Sequence, residues 1–289
     1  MAVMETQASW VPRERSGVTF QLFAWAAAGI LLLFLSLPFL AVLLRASPGE
    51  VLRHLTDAHV LDALRLSLLT GLAATLLIVM LGTPTAYLLA TRRFPGKRVI
   101  ETLIDLPLVL PPTVAGFALL MAFGRMGLAG GALRAFGISL PFTTAAVVVA
   151  QTFMASPFYV AAARAGFSGV DRTLLETAAT LGASEASRFR RVVLPLARPL
   201  LLSGAAMSAA RALGEFGATI TFAGNLPGTT QTMPLAVYVA LQSNLDTALV
   251  LSVLLLLVSF GMLLTLRSAP AWSLWSSSHA RAGSSEAAR

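Results

Sequence analysis

Long apolar runs separated by short polar segments rich in cations set the pattern of this chain. After a mixed polar stretch at residues 1–19, which holds Arg13 and Arg15, apolar runs cover residues 20–44, 62–90, 99–123, 142–163, 198–223 and 246–266. Crossing a bilayer takes about 20 mostly apolar residues, so the pattern predicts six membrane-spanning helices. The first run is too long for the ~7–15 apolar residues of a signal-peptide core and reads as an uncleaved anchor. Residues 45–60, with Pro48, Gly49, His54, Asp57 and His59, predict a polar connection. Gly82-Thr83-Pro84 is expected to interrupt the second run, and the glycine-rich residues 124–141 to form a loop. Residues 164–197 are a long polar insertion rich in Arg, a short apolar segment follows at 233–242, and a Ser/Ala/Arg tail occupies 268–289.

Composition sharpens this into a class. Of 289 residues, 56% are hydrophobic and only 12% charged, about half the charge of a soluble domain. That excludes a soluble enzyme core and a disordered chain, and predicts an all-α, polytopic helical membrane protein. With no cysteine, a disulfide scaffold or a thiolate nucleophile is excluded too. The net charge of +8 does not call for nucleic acid, because the cations lie between apolar runs. With both ends inside, the inner segments hold fifteen of the 21 Lys and Arg and the outer segments five. Positive charge concentrates in cytoplasmic loops, so both termini are expected in the cytoplasm.

The insertion carries the most local information. Thr173 and Glu176 have capping-box spacing, so a helix is expected to start there. Gly182 supplies the left-handed residue that ends it. Ser184 can cap a second short helix with Glu185 in its first turn, and Pro195 is expected to stop that one. The expected product is a helix–glycine–helix elbow with Leu181, Phe189, Val192 and Val193 as an apolar ridge. Such an elbow could enter a groove on a soluble partner or lie on acidic lipid, and the residues alone leave both open.

Glu176-x-Ala178, then Gly182, then Leu194-Pro195 resembles the EAA loop of importer-type ABC permeases, with Thr177 where Ala is usual. Two further stretches are similar to molybdate permeases in particular. One is Asp105-Leu106-Pro107-Leu108-Val109-Leu110-Pro111-Pro112-Thr113; the other is Ala210-Arg211-Ala212-Leu213-Gly214-Glu215-Phe216-Gly217-Ala218-Thr219, continuing to Asn225. The resemblance implies a type I importer fold with a core at 60–267, placed in a bacterial or archaeal cytoplasmic membrane. It implies a homodimer that docks cytoplasmic ATPase subunits through Glu176, Ala178, Gly182, Ala183, Ser184, Phe189, Leu194 and Pro195. It also implies an external oxyanion-binding protein, a molybdate or tungstate cargo, and ATP and magnesium held by the ATPase rather than by this chain. A sulfate or thiosulfate permease is the nearest alternative; an ion-coupled secondary transporter is a more distant one.

Arg211 and Glu215 are four apart, so a helix would set them one above the other. An Arg at a helix centre costs about 2.5–3.5 kcal/mol on insertion scales and needs a partner or a water-filled cavity. Arg211, Glu215, Thr219, Thr221 and Asn225 therefore mark either a translocation path or a dimer interface. Pro107, Pro111, Pro112 and Pro157 remove backbone donors and bend helices, for packing or for gating. The chain has no G-x-x-x-x-G-K-[ST], the loop that holds ATP phosphates. His54 and His59 lack the four-residue spacing of paired helical metal ligands, and no Ser/His or Cys/His catalytic set is present.

Overall fold

The structure, a computed structural model, describes residues 16–54 and 57–267. The predicted tails at 1–19 and 268–289 fall mostly or wholly outside them. The described residues are helical and fall into two compact units. The first unit holds α1 (Ser16–Arg45), a helix apolar around its whole circumference, as a membrane span must be.

The second unit begins with α2 (Pro48–His54), so the expected polar connection contains about two turns of helix. Its centre is α7 (Thr144–Ser168), packed along both α3 (Ala58–Thr91) and α10 (Leu194–Leu213). Small residues allow the approach. A Cβ on Gly82 would lie 2.8 Å from the Tyr159 ring, and one on Gly204 2.8 Å from the Ala162 Cβ. Ser208 Oγ donates to the Ala155 carbonyl at 2.8 Å, which fixes α10 against α7. A second apolar cluster joins the first half of α7 to α5 (Pro112–Phe123) and α11 (Gly217–Phe222). A third joins the start of α3 to α12 (Met233–Ser243) and α13 (Leu245–Arg267).

Among the described residues, five helices are long and apolar enough to cross a membrane: α1, α3, α7, the continuous rod Glu185–Leu213, and α13. The expected third span is not one helix. It divides into α4 (Lys97–Val109) and α5, with the break at Leu110–Pro111. The expected fifth span is likewise corrected: α10 ends at Leu213, and α11 restarts at Gly217. Gly82-Thr83-Pro84 does not interrupt α3, and Thr83 Oγ there bonds the Val79 carbonyl and the Tyr159 hydroxyl, both at 2.6 Å. The glycine-rich stretch at 124–141 contains α6 (Gly130–Ala135).

Candidate functional site

Two places combine unusual backbone with charge: the elbow between α7 and α10, and the paired helix breaks. The elbow starts at Asp171, not Thr173. Asp171 accepts the Thr173 N–H at 2.9 Å and caps α8 (Arg172–Thr180), leaving Glu176 exposed on its surface. An ionised Asp placed before the first turn is as good a cap as Thr, and it wins by position. α8 ends in a two-bond turn. Ala183 N–H reaches the Ala178 carbonyl at 3.0 Å, Gly182 N–H reaches Ala179 at 2.9 Å, and Gly182 has φ +80°. This Schellman geometry needs a left-handed residue, which glycine supplies without a Cβ penalty. Ser184 then accepts the Ser187 N–H at 3.3 Å and caps α9 (Glu185–Arg188).

Pro195 does not stop the second helix. Residues Phe189–Val193 form a π-helical turn, with Leu194 N–H bonded to the Phe189 carbonyl, and the rod continues through Pro195 into α10. A wider turn before a proline gives its ring room and absorbs the missing bond. The apolar ridge is also corrected. Val193 is buried, and Phe189 turns inward, its ring 4.8 Å from Tyr87 and 6.1 Å from Phe167. Leu181, 82% exposed, and Leu174 are the large apolar side chains left on the elbow's surface.

The two breaks lie against each other. A Cβ on Gly217 would lie 2.6 Å from the Pro112 Cβ, and one on Gly116 2.7 Å from the Ala218 carbonyl oxygen. Arg211 and Glu215 do not share a helix, since α10 ends between them, yet Glu215 Oε2 reaches back to Arg211 Nη1 at 2.6 Å. Its other oxygen accepts the Ala218 N–H at 2.8 Å, in the first turn of α11. One carboxylate thus serves both sides of the break. Thr219 is fully buried within the chain, Thr221 bonds the Gly217 carbonyl, and Asn225 is half-buried. Pro111, Pro112 and Thr113 are exposed; Pro107 and Pro157 are buried inside helices. On α4, Arg98, Thr102 and Asp105 form an exposed polar stripe. Among the described residues, no three His, Asp or Glu side chains are grouped to hold a metal ion.

Residues 78–267 match the family of binding-protein-dependent transport system inner membrane components. The chain belongs to that family. A molybdenum transport system permease protein of Mycobacterium tuberculosis is 45% identical over 236 residues, covering 81% of this chain and 88% of the relative. The corresponding permease protein of Escherichia coli K12 is 42% identical over 183 residues, covering 63% of this chain and 80% of the relative. A bacterial ABC transporter for alginate import shares the fold at 14% identity, with a TM-score of 0.71 over 86% of this chain and 94% of its own. This family member is therefore a multi-pass inner-membrane transport subunit with a type I importer permease fold, not an enzyme.

Sequence reasoning missed two ion pairs of this inner-membrane component: Arg164 to Glu101 at 2.8 Å and Arg92 to Glu185 at 2.6 Å. Their partners lie 63 and 93 residues apart, beyond the reach of any local pattern.

Proposed function

We propose that the chain is the membrane-spanning permease subunit of an ATP-driven ABC importer for molybdate or tungstate. The observation that carries the cargo is the identity of 45% over 81% of the chain to a molybdenum permease. The motif stretches at 105–113 and 210–225 agree with it. In this reading two copies of the chain line the path. The exposed polar stripe of Arg98, Thr102 and Asp105 cannot face lipid cheaply; water or a second copy must cover it. Both termini are cytoplasmic, by the distribution of cations. A periplasmic or extracellular oxyanion-binding protein delivers cargo, and ATP with magnesium acts in separate ATPase subunits.

The elbow is the docking element. Glu176, Leu174 and Leu181 on the free surface of α8 enter a groove of the ATPase, while Gly182, Ala178, Ala183 and Ser184 fix the turn that presents them. Phe189, Leu194 and Pro195 join that turn to α10. The cargo is tested by uptake in a strain lacking this chain and complemented with it. Submicromolar radiolabelled molybdate should be taken up and competed by tungstate but not by equimolar sulfate. Competition by sulfate alone overturns the assignment. Docking is tested by Gly182→Val, which places a β-branched residue at φ +80°, a conformation costing about 1–2 kcal/mol. The variant should stay in the membrane but lose most of the co-purifying ATPase. Undiminished co-purification would count against the elbow as the docking element.

A further inference from the structure

The elbow touches the helical bundle at a place its chain connection does not require. Through the π-helical turn it runs directly into α10, and that covalent route would suffice to move one helix. Yet α9 also meets the far end of α3. Arg92, the residue that terminates α3, donates from Nη2 to Glu185 Oε1 at 2.6 Å. Tyr87, just over one turn earlier, sets its ring edge-on against Phe189 at 4.8 Å and Phe167 at 5.5 Å. One contact is polar and joins the end of α3 to α9; the other is aromatic and joins α3 to the π-helical turn that follows α9.

Space around the contacts shows what they do. A groove of about 740 Å³ opens on one side of the Tyr87–Glu185 seam, walled by Val79, Met80, Thr83, Pro84, Ala186 and Phe189. A smaller one of about 280 Å³ opens on the other, beside Thr91, Leu175 and Arg188. Between α3 and α9 the ion pair makes the link, while Tyr87 and Phe189 pack together against the main apolar cluster. Both side chains of the pair are more than half exposed, at 59% and 58%. Exposed pairs add little to stability, so the contact bears on position instead.

α3 reaches this point as one continuous helix with Pro84 inside it. Pro84 leaves the Met80 carbonyl without its helical donor, and Thr83 beside it holds Val79 and Tyr159. The segment from Tyr87 to Thr91 stays packed on α7 through buried Leu89 and the Tyr87–Phe167 ring contact, so a pull on Arg92 is passed to α7 as well as to α3.

We propose that Arg92 and Glu185 form a charge clasp that couples the elbow to α3, giving ATPase motion a second route into the bundle beside α10. Arg92 and Glu185 are positioning residues in this scheme: neither touches cargo or nucleotide. The clasp rests on the reading of the elbow as the ATPase docking element. When an ATPase covers the elbow, the pair loses water and its attraction strengthens, so the clasp is tightest while force is transmitted.

The test uses the whole transporter, permease with ATPase and binding protein, in liposomes, and reads oxyanion imported per ATP hydrolysed. Arg92→Glu and Glu185→Arg should each lower that ratio about three- to tenfold, a typical coupling for residues in direct contact, and the charge-swapped double variant should restore it to within about twofold. Unpaired hydrolysis continues in the single variants. A merely structural role would lower complex yield without changing the ratio. Single variants with an unaltered ratio overturn the clasp, as does a swap that restores neither ratio nor yield. Gly182→Val, run in parallel, separates this inference from its foundation. If Gly182→Val loses the ATPase while the clasp variants couple normally, only the clasp fails. If Gly182→Val retains full ATPase binding and coupling, the docking role of the elbow fails and takes the clasp with it.

Discussion

Replacing Gly116 with valine is expected to cut the accumulation of folded protein at least tenfold. An ideal Cβ at this position lies 2.7 Å from the Ala218 carbonyl oxygen, 2.7 Å from the Thr221 Cβ and 2.8 Å from the Ala218 Cα. Carbon atoms attract best at about 3.5–4.0 Å, so each of these contacts is deep in the repulsive range. Two of the three obstacles are backbone, which no rotamer change can move. Relief would require α5 and α11 to separate, and that would also open the contact where Gly217 meets Pro112. Overpacking a core typically costs about 1–3 kcal/mol and sometimes more; against a total stability of about 5–15 kcal/mol, a rigid site such as this one belongs at the upper end. Gly116→Ala should lower the melting temperature in detergent measurably, and Gly116→Val should reduce the yield of monodisperse protein at least tenfold. Gly131→Ala is the control, since no atom lies within 4 Å of a Cβ there. A normal melt for Gly116→Val would mean that α5 and α11 are not packed as described.

What could be read from the sequence follows from how local each feature is. Apolar character is a property of about 20 consecutive residues, so the number and approximate place of the apolar runs were legible. The elbow was legible for the same reason: its glycine and its serine cap act within four residues of themselves. The breaks were not. Residues 99–123 look like one uninterrupted span, and what sustains the break at Leu110–Pro111 is contact with α11, a segment more than a hundred residues away.

The prolines show the distinction most clearly. At Pro157 the helix continues, because Ser156 Oγ donates to the Phe153 carbonyl that the proline leaves without a donor. At Pro84 it continues with Thr83 bonded into the preceding turn. At Pro111, which follows Leu110, the chain turns. A hydroxyl before the proline is not a general signal, since Pro38, Pro107 and Pro199 lie inside helices without one, and Pro195 survives by the wide turn from Phe189 to Val193. The inward rotation of Phe189 had no local signal, because it depends on Tyr87 and Phe167 from two other helices.

The second large effect is expected at Glu215. Glu215→Ala removes the partner of Arg211 and the acceptor for Ala218 N–H in one step. The carboxylate is 1% exposed and the Arg211 side chain 27%, so the guanidinium left behind is poorly solvated. Breaking a buried ion pair by deleting one member costs about 3–5 kcal/mol, and losing a helix cap adds about 1 kcal/mol. Glu215→Gln separates the two contributions: its amide oxygen can still accept from Ala218, so the cap survives while the charge is lost. Arg211→Met with Glu215→Gln should recover much of the stability, because a neutral, well-packed replacement leaves no charge uncompensated. A double-mutant cycle on thermal stability and complex yield measures the pair directly. Arg211→Ala should accordingly impair assembly more than it weakens oxyanion transport by the complexes that do form. The opposite result, normal complex yield with selectively lost uptake, would move Arg211 from the joint between α10 and α11 onto the path of the oxyanion.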